Sequence, residues 1–221
     1  MLAKELISDT VPSVKTSDHA SRVLNWMSEF KVGQLPVVNH EQLLGLITED
    51  DLIESDIDDL PIGDIRLSLP ETTSVFEDAH FFEALKVAHL MKLDILPVLD
   101  ARDNSYVGAI TYHDFLQHAA EVFGVSEPGG IIVLSIEPNS YSISEIGRIC
   151  ESNDAKILSL NLEEGKNGML LVTIKLNVRE LSRVIATFQR FDYEIAHVVF
   201  DTEQLDDYRE SYENLLRYLN P

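Results

Sequence analysis

Thr48 with Asp51, and again Thr111 with Asp114, place a hydroxyl and a carboxylate three residues apart at the mouths of two segments that read as helices. The first N–H groups of a helix lack intrahelical acceptors, so an anion is favoured there, and a threonine hydroxyl adds a further contact. A carboxylate one turn later can accept hydrogen bonds from the two hydroxyls of a ribose. The pair therefore suits a nucleoside phosphate. The same spacing is close to a capping box, in which the threonine oxygen and the carboxylate satisfy the first N–H groups of their own helix, and both roles can coexist.

Local charge separates the two copies. Glu49 and Asp50 lie inside the first motif, and Glu54, Asp56, Asp58 and Asp59 follow it, so a polyphosphate such as ATP would face many like charges. Tyr112 and His113 lie inside the second, offering a stacking surface and a phosphate donor, which makes Thr111 and Asp114 the better site. The acidic stretch from Glu49 to Asp59 lacks the order and the glycine of an EF-hand, so it reads as a solvated helix face and linker and no metal site is expected.

The elements that would position these groups are duplicated. Ser13-Val14 falls on Ser74-Val75, and Leu35-Pro36-Val37-Val38 on Leu96-Pro97-Val98-Leu99, at one shift of 61 residues. Gly45 to Leu52 falls on Gly108 to Phe115 at a shift of 63, the two extra residues fitting a longer hairpin from Asp100 to Tyr106. Apolar residues at Ala20, Val23, Leu24, Met27 and Phe30, and at Phe81, Ala84, Leu85, Ala88 and Met91, have the spacing of amphipathic helices. Leu35 to Val38 and Leu43 to Ile47 read as a two-stranded hairpin, with a helix starting at Thr48. A unit this small cannot bury its own sheet face, so the two copies should pack together.

In these features residues 1–124 resemble a pair of CBS domains, repeat one about 1–60 and repeat two about 61–124. The matching residues are the apolar strands around Pro36 and Pro97 and the G-h-h-T-x-x-D-h signature at Gly45 to Leu52 and at Gly108 to Phe115. The resemblance implies a pseudo-twofold Bateman module with two clefts, usually dimeric and often binding adenosine derivatives. Thr111, Asp114, Thr48, Asp51, Pro36, Pro97 and His113 are then the candidate binding residues, with AMP, ADP or S-adenosylmethionine preferred to ATP.

Gly124 to Gly130 carries the turn residues expected between domains. Beyond it the pattern predicts strand Ile131 to Ile136, helix Ser142 to Ser152, strand Lys156 to Leu162, a turn at Glu163 to Asn167, strand Met169 to Leu176, helix Val178 to Phe191 and strand Tyr193 to Phe200. This βαββαβ order over residues 130–200 is similar to a ferredoxin-like ACT domain, so the whole fold is expected to be α+β. ACT domains commonly bind amino acids where the first strand meets the first helix, here Glu137 to Ile143. That loop lacks the family's glycine, which favours a dimerisation role. Residues 201–221, with Leu205, Tyr208, Tyr212, Leu215, Leu216 and Leu219, predict a C-terminal amphipathic helix. CBS and ACT domains in this order resemble acetoin-utilisation regulatory proteins.

Composition excludes more than it proposes. A net charge of -21 repels a phosphate backbone or an anionic membrane surface, so neither nucleic acid nor membrane is an expected partner. The single Cys150 forms no internal disulfide and the N-terminus lacks a signal-peptide core, so a cytoplasmic protein is expected. No nucleophile with its base, carboxylate pair or metal cluster is legible, and Cys150 reads as a buried structural thiol, so no enzyme is expected and no cofactor is required. The expectation is a non-catalytic, homodimeric, ligand-sensing regulator of an unidentified protein. The alternatives are an amino-acid-binding ACT regulator and a ligand-free dimeric interaction scaffold.

Overall fold

The computed structural model describes residues 1–8, 10–54 and 60–200. The helix expected over residues 201–221, and Asp56, Asp58 and Asp59 of the acidic stretch, lie outside the described residues. The chain divides into a first unit, Met1–His118, and a second beginning at Ala119.

In the first unit, helix α1 (Ala20–Phe30) precedes the hairpin β1 (Gln34–Asn39) and β2 (Gln42–Thr48), which leads into α2 (Glu49–Glu54). The second copy repeats this with α3 (Phe81–Met91), β5 (Ile95–Leu99), β6 (Tyr106–Thr111) and α4 (Tyr112–Val122). The division between the units falls inside α4, ahead of the Gly124 to Gly130 run. Between the copies lie two short strands, β3 (Leu69–Pro70) and β4 (Val75–Phe76). Residues 40 and 41 make the first hairpin turn with positive φ of 48° and 65°, whose twist suits a two-residue connection.

The lead segments of the copies are exchanged. Strand β3 pairs antiparallel with β2, and Ser8 bridges antiparallel to Ala109 of β6, so each copy's sheet is edged by the segment that precedes the other copy. The exchange repeats in detail. Ala3 N donates to Ala79 O at 2.8 Å and Lys4 N to Glu77 O at 3.0 Å, while Ile62 N donates to Asp18 O and Gly63 N to Thr16 O, both at 2.8 Å. Val14 lies parallel on β1 as β4 lies parallel on β5. A translational repeat would pass its lead segment in one direction only; reciprocal exchange requires an approximate twofold axis.

That crossing explains a glycine in each copy. Gly45 and Gly108 have φ of +148° and +151°, and a Cβ there would collide with the Leu69 carbonyl oxygen and the Ile7 side chain respectively. Only glycine lets the exchanged segment pass so close over β2 and β6. Burial then fuses the copies: Val14, Val23, Met27, Leu35 and Ile47 pack in one cluster with Ile62 and with Ile95 and Ala109 of the second hairpin. In α3 the expected apolar stripe is only partly buried. Phe81, Ala84 and Ala88 face inward, whereas Leu85 and Met91 are exposed, because small residues rather than large ones meet the sheet.

The second unit contains β7 (Ile131–Ile136), α5 (Ile143–Glu151), β8 (Ile157–Glu164), β9 (Leu170–Leu176), α6 (Ser182–Arg190) and β10 (Glu194–Val199). Its sheet order is β10-β7-β9-β8, every neighbour antiparallel. Ile132, Leu134, Val172 and Ile174 cluster with Ile146 and Ile149 of α5 and with Leu181, Val184 and Phe188, so both helices cover one face. Helix α6 starts four residues later than the apolar pattern predicts. Gly130 N donates to Val178 O at 2.9 Å, holding that residue against the strand start, and Glu180 Oε1 accepts from Ser182 N at 2.9 Å at the helix entrance.

Candidate functional site

Both Thr-x-x-Asp motifs fold as they must if the short polar side chains cap the helix behind them. In the first, Thr48 N donates to Asp51 Oδ2 at 3.0 Å and Asp51 N donates to Thr48 Oγ1 at 3.1 Å. In the second, Thr111 N donates to Asp114 Oδ2 at 2.9 Å and Asp114 N to Thr111 Oγ1 at 3.2 Å. The capping box is thus present twice, and it uses one carboxylate oxygen, Oδ2, in each copy. Among the described residues, Oδ1 of either aspartate accepts no hydrogen bond.

The helix entrances are less open than a count of first-turn N–H groups suggests. Glu49 N donates to Gly33 O at 2.9 Å and Tyr112 N to Asp94 O at 2.8 Å, so the first helical donor is spent in each copy. Gly33 N in turn donates to Asp94 Oδ2 at 2.8 Å, and Asp94 N to Gln34 Oε1 at 3.3 Å. The two entrances are therefore tied through Gly33 and Asp94, one residue from each copy at the same register. Sequence reading missed both residues, because neither belongs to a motif and only the twofold brings them together.

The copies differ in what else reaches the carboxylate. Ser68, on the exchanged segment, donates to Asp51 Oδ2 through its N at 3.3 Å and its hydroxyl at 3.1 Å. At Asp114 the additional donor is the motif's own Thr111 hydroxyl, at 2.5 Å. Around Asp51 the exposed neighbours are Glu49 and Asp50; around Asp114 they are Tyr112, 65% exposed, and His113. Thr111 is buried and Thr48 half-buried.

Pro36 and Pro97 are buried within β1 and β5, opposite Leu46 and Ala109. Pro36 has no N–H to give, but its carbonyl accepts from Val14 N at 2.8 Å, so it stays in the ladder. The proline positions hold the strands, and the threonine and aspartate at the strand ends carry the polar groups.

Two other features bear on chemistry. Cys150 is fully buried in α5, and burial pushes its thiol up to about 11. In the second unit a cavity of about 410 Å³ is lined by Glu137 and Ser140 of the β7 to α5 connection, by Glu145, and by Asp192, Tyr193 and Glu194. Tyr193 donates to Glu145 Oε2 at 2.8 Å; burial first, then this carboxylate, push its phenol up to about 12. Among the described residues no three His, Cys, Asp or Glu side chains converge to hold a metal ion, and no helix is long and apolar enough to cross a membrane.

The chain is similar in part to known proteins. Inosine-5'-monophosphate dehydrogenase of Methanocaldococcus jannaschii is 28% identical over 116 residues, which are 52% of this chain and 23% of that protein. The chain thus spans about a quarter of the length of this curated relative. Among solved structures, a CBS domain pair/ACT domain protein of Thermotoga maritima is 24% identical with a TM-score of 0.48, covering 55% of this chain and 98% of its own. CBSX2 of Arabidopsis thaliana, solved in complex with AMP, is 22% identical with a TM-score of 0.45, covering 55% and 97%. The model of the CBS domain matches residues 3–58. The elements of the matched residues recur in the same order and hairpin pairing in the second half of the first unit.

Proposed function

We propose that this chain is a regulatory, non-catalytic cytoplasmic protein that binds one adenosine derivative at the entrance of α4, through Thr111 and Asp114. AMP, ADP or S-adenosylmethionine are the preferred ligands. The observation that carries the reading is the difference between the two aspartates: Asp51 Oδ2 already takes both polar groups of Ser68, whereas Asp114 is engaged only within its own motif. Asp114 Oδ1 is left to accept ribose hydroxyls. Tyr112 supplies a ring for the base, and His113 a donor for a phosphate. A triphosphate is disfavoured by the acidic first motif and by the overall charge of -21.

Calorimetric titration of the full chain with AMP, ADP, S-adenosylmethionine and ATP tests this. One ligand per chain is expected, with binding abolished in Asp114→Ala and kept in Asp51→Ala. Absence of heat from all four ligands overturns it.

In this reading residues 1–124 are a tandem CBS pair and residues 130–200 an ACT-like domain. The cavity beside Glu137 and Ser140 supports a second site, for the amino group of an amino acid, because Glu137, Glu145, Asp192 and Glu194 line it. Equilibrium dialysis against an amino-acid panel separates this reading from the first.

A further inference from the structure

We infer that residues 201–221, which lie outside the described residues, dock as an amphipathic helix on the face of the second unit's sheet that α5 and α6 leave open. Both helices pack on one face, against Ile132, Leu134, Val172 and Ile174, so the alternate strand residues belong to the other. A sheet face open to water carries polar residues at those alternate positions, and edge strand β8 does so with Ser159, Asn161 and Glu163. Central strand β7 does not. Ile131 and Val133 leave it apolar on both faces. Val199, 52% exposed, lies opposite Ile131, and Leu171 of β9 is the diagonal neighbour of Val133. Together these four make an apolar stripe that starts at the end of β10 and crosses both central strands.

The place where the chain leaves β10 identifies the occupant. Strand β10 ends at Val199, so the residues from 201 onward set out from the head of the stripe. The stripe crosses two strand spacings and four residues of rise, about 17 Å on the diagonal. Leu205, Tyr208, Tyr212, Leu215 and Leu219 recur at helical spacing over about 21 Å, enough to cover it. Charge sets the direction. At the head of the stripe the open face carries Lys175 and His197, and at its far end Glu194 and Glu163. A helix running back from β10 brings Glu203, Asp206 and Asp207 over the first pair and Arg217 over the second. Lys175 Nζ gives one hydrogen bond to Gly129 O at 3.1 Å, and an ammonium has three donors, so it can also meet a carboxylate.

Chemical cross-linking of the full chain tests the docking. Val133→Cys with Tyr212→Cys, treated with a short bismaleimide and digested, should give a bridge within one chain by mass spectrometry. Tyr212→Cys with Ser144→Cys, an exposed position on α5 across the sheet, should give none. Cys150 is buried and does not compete. Chains carrying Val133→Cys alone and Tyr212→Cys alone should form no bridge when mixed; one there assigns the face to the segment of a second copy and overturns the proposal. Leu215→Glu with Leu216→Glu, which changes no residue of the sheet, should speed maleimide labelling of Val133→Cys about tenfold or more. An unchanged labelling rate, or no bridge in the first double variant, also overturns it. None of these readouts involves Thr111 or Asp114, so this inference and the nucleotide reading can fail separately.

Discussion

Substituting alanine for Gly45 and for Gly108 applies one chemical change at two positions that the pseudo-twofold makes equivalent, yet the costs should differ. At both, alanine is forced to a φ near +150°, where a side chain costs about 1 to 3 kcal/mol in backbone strain. The new Cβ of Gly45→Ala then meets the carbonyl oxygen of Leu69, which is backbone and cannot rotate away. Relief requires β3 to lift from β2, where Gly45 opposes Pro70 and Leu46 opposes Leu69, giving up hydrogen bonds worth about 1 kcal/mol each. The total is about 3 to 5 kcal/mol. The Cβ of Gly108→Ala meets the side chain of Ile7, which can change rotamer for about 1 kcal/mol, so the total is about 2 to 4 kcal/mol. Urea unfolding followed by the fluorescence of Trp26, the single tryptophan, reads the first unit directly. Gly45→Ala should be the less stable variant by about 1 kcal/mol or more. Equal destabilisation, or the reverse order, would refute the claim that backbone crosses backbone in one copy and a side chain in the other.

Three further outcomes follow from groups whose ionisation the fold shifts. Burial raises Tyr106 to about 12, and burial with Glu145 raises Tyr193 to about 12, each from 10.0, so the stability they confer is complete below about pH 10 and is lost as pH rises through 12. Tyr106→Phe and Tyr193→Phe should each move alkaline unfolding, followed by circular dichroism, to higher pH; Tyr193→Phe should also cost about 1 kcal/mol at neutral pH by losing its bond to Glu145. Hydrogen bonds from Arg102 lower Asp100 from 3.8 to about 2, so its contribution is present above about pH 4 and lost as pH falls toward 2; Asp100→Asn should flatten that part of an acid titration of stability. The Cys150 thiol, raised from 9.0 to about 11, should react with a disulfide reagent at pH 8 at least about 100-fold more slowly in the native chain than in urea.

Much of this architecture is legible in the residues because it rests on local periodicity. Strand β7 occupies the span read for it, and the hairpins fall within a residue or two of their apolar runs, since alternating or continuous β-branched stretches admit few other conformations. The entrance of α6 was not legible. Val178 continues the apolar spacing of Leu181, Ile185 and Phe188, whereas the long-range bond from Gly130 N to Val178 O holds that residue at the strand start and Glu180 caps the helix at Ser182. The two capping boxes were visible as spacing, but their inequality was not. Ser68 sits 17 residues from Asp51, on a segment that sequence assigns to the other copy, and nothing in its neighbourhood announces the crossing. Gly33 and Asp94 were hidden for the same reason. Leu85 and Met91 were placed on the buried stripe because helical spacing ranks residues by period alone, whereas the alanines at 84 and 88 draw that side of α3 to the sheet.

On the proposed function, the exchange of lead segments would let a duplicated chain keep one site and lose its twin. Because Asp51 is met by the segment leading into the other copy, a single residue there alters one motif and leaves the other alone. Ser68 brings two donors to Asp51; at the corresponding register of the other lead segment stands Ile7, an aliphatic side chain without a donor, over Gly108. The hairpins remain tied through Gly33 and Asp94, so on the proposed function a ligand held at Asp114 would pull on a hydrogen-bond chain that runs from Tyr112 to Glu49. In that arrangement the first motif would act as a fixed anchor for the second. On that reading a change of ligand occupancy at α4 would be transmitted through two backbone bonds joined by the Asp94 carboxylate, so Asp94→Ala would cut the link.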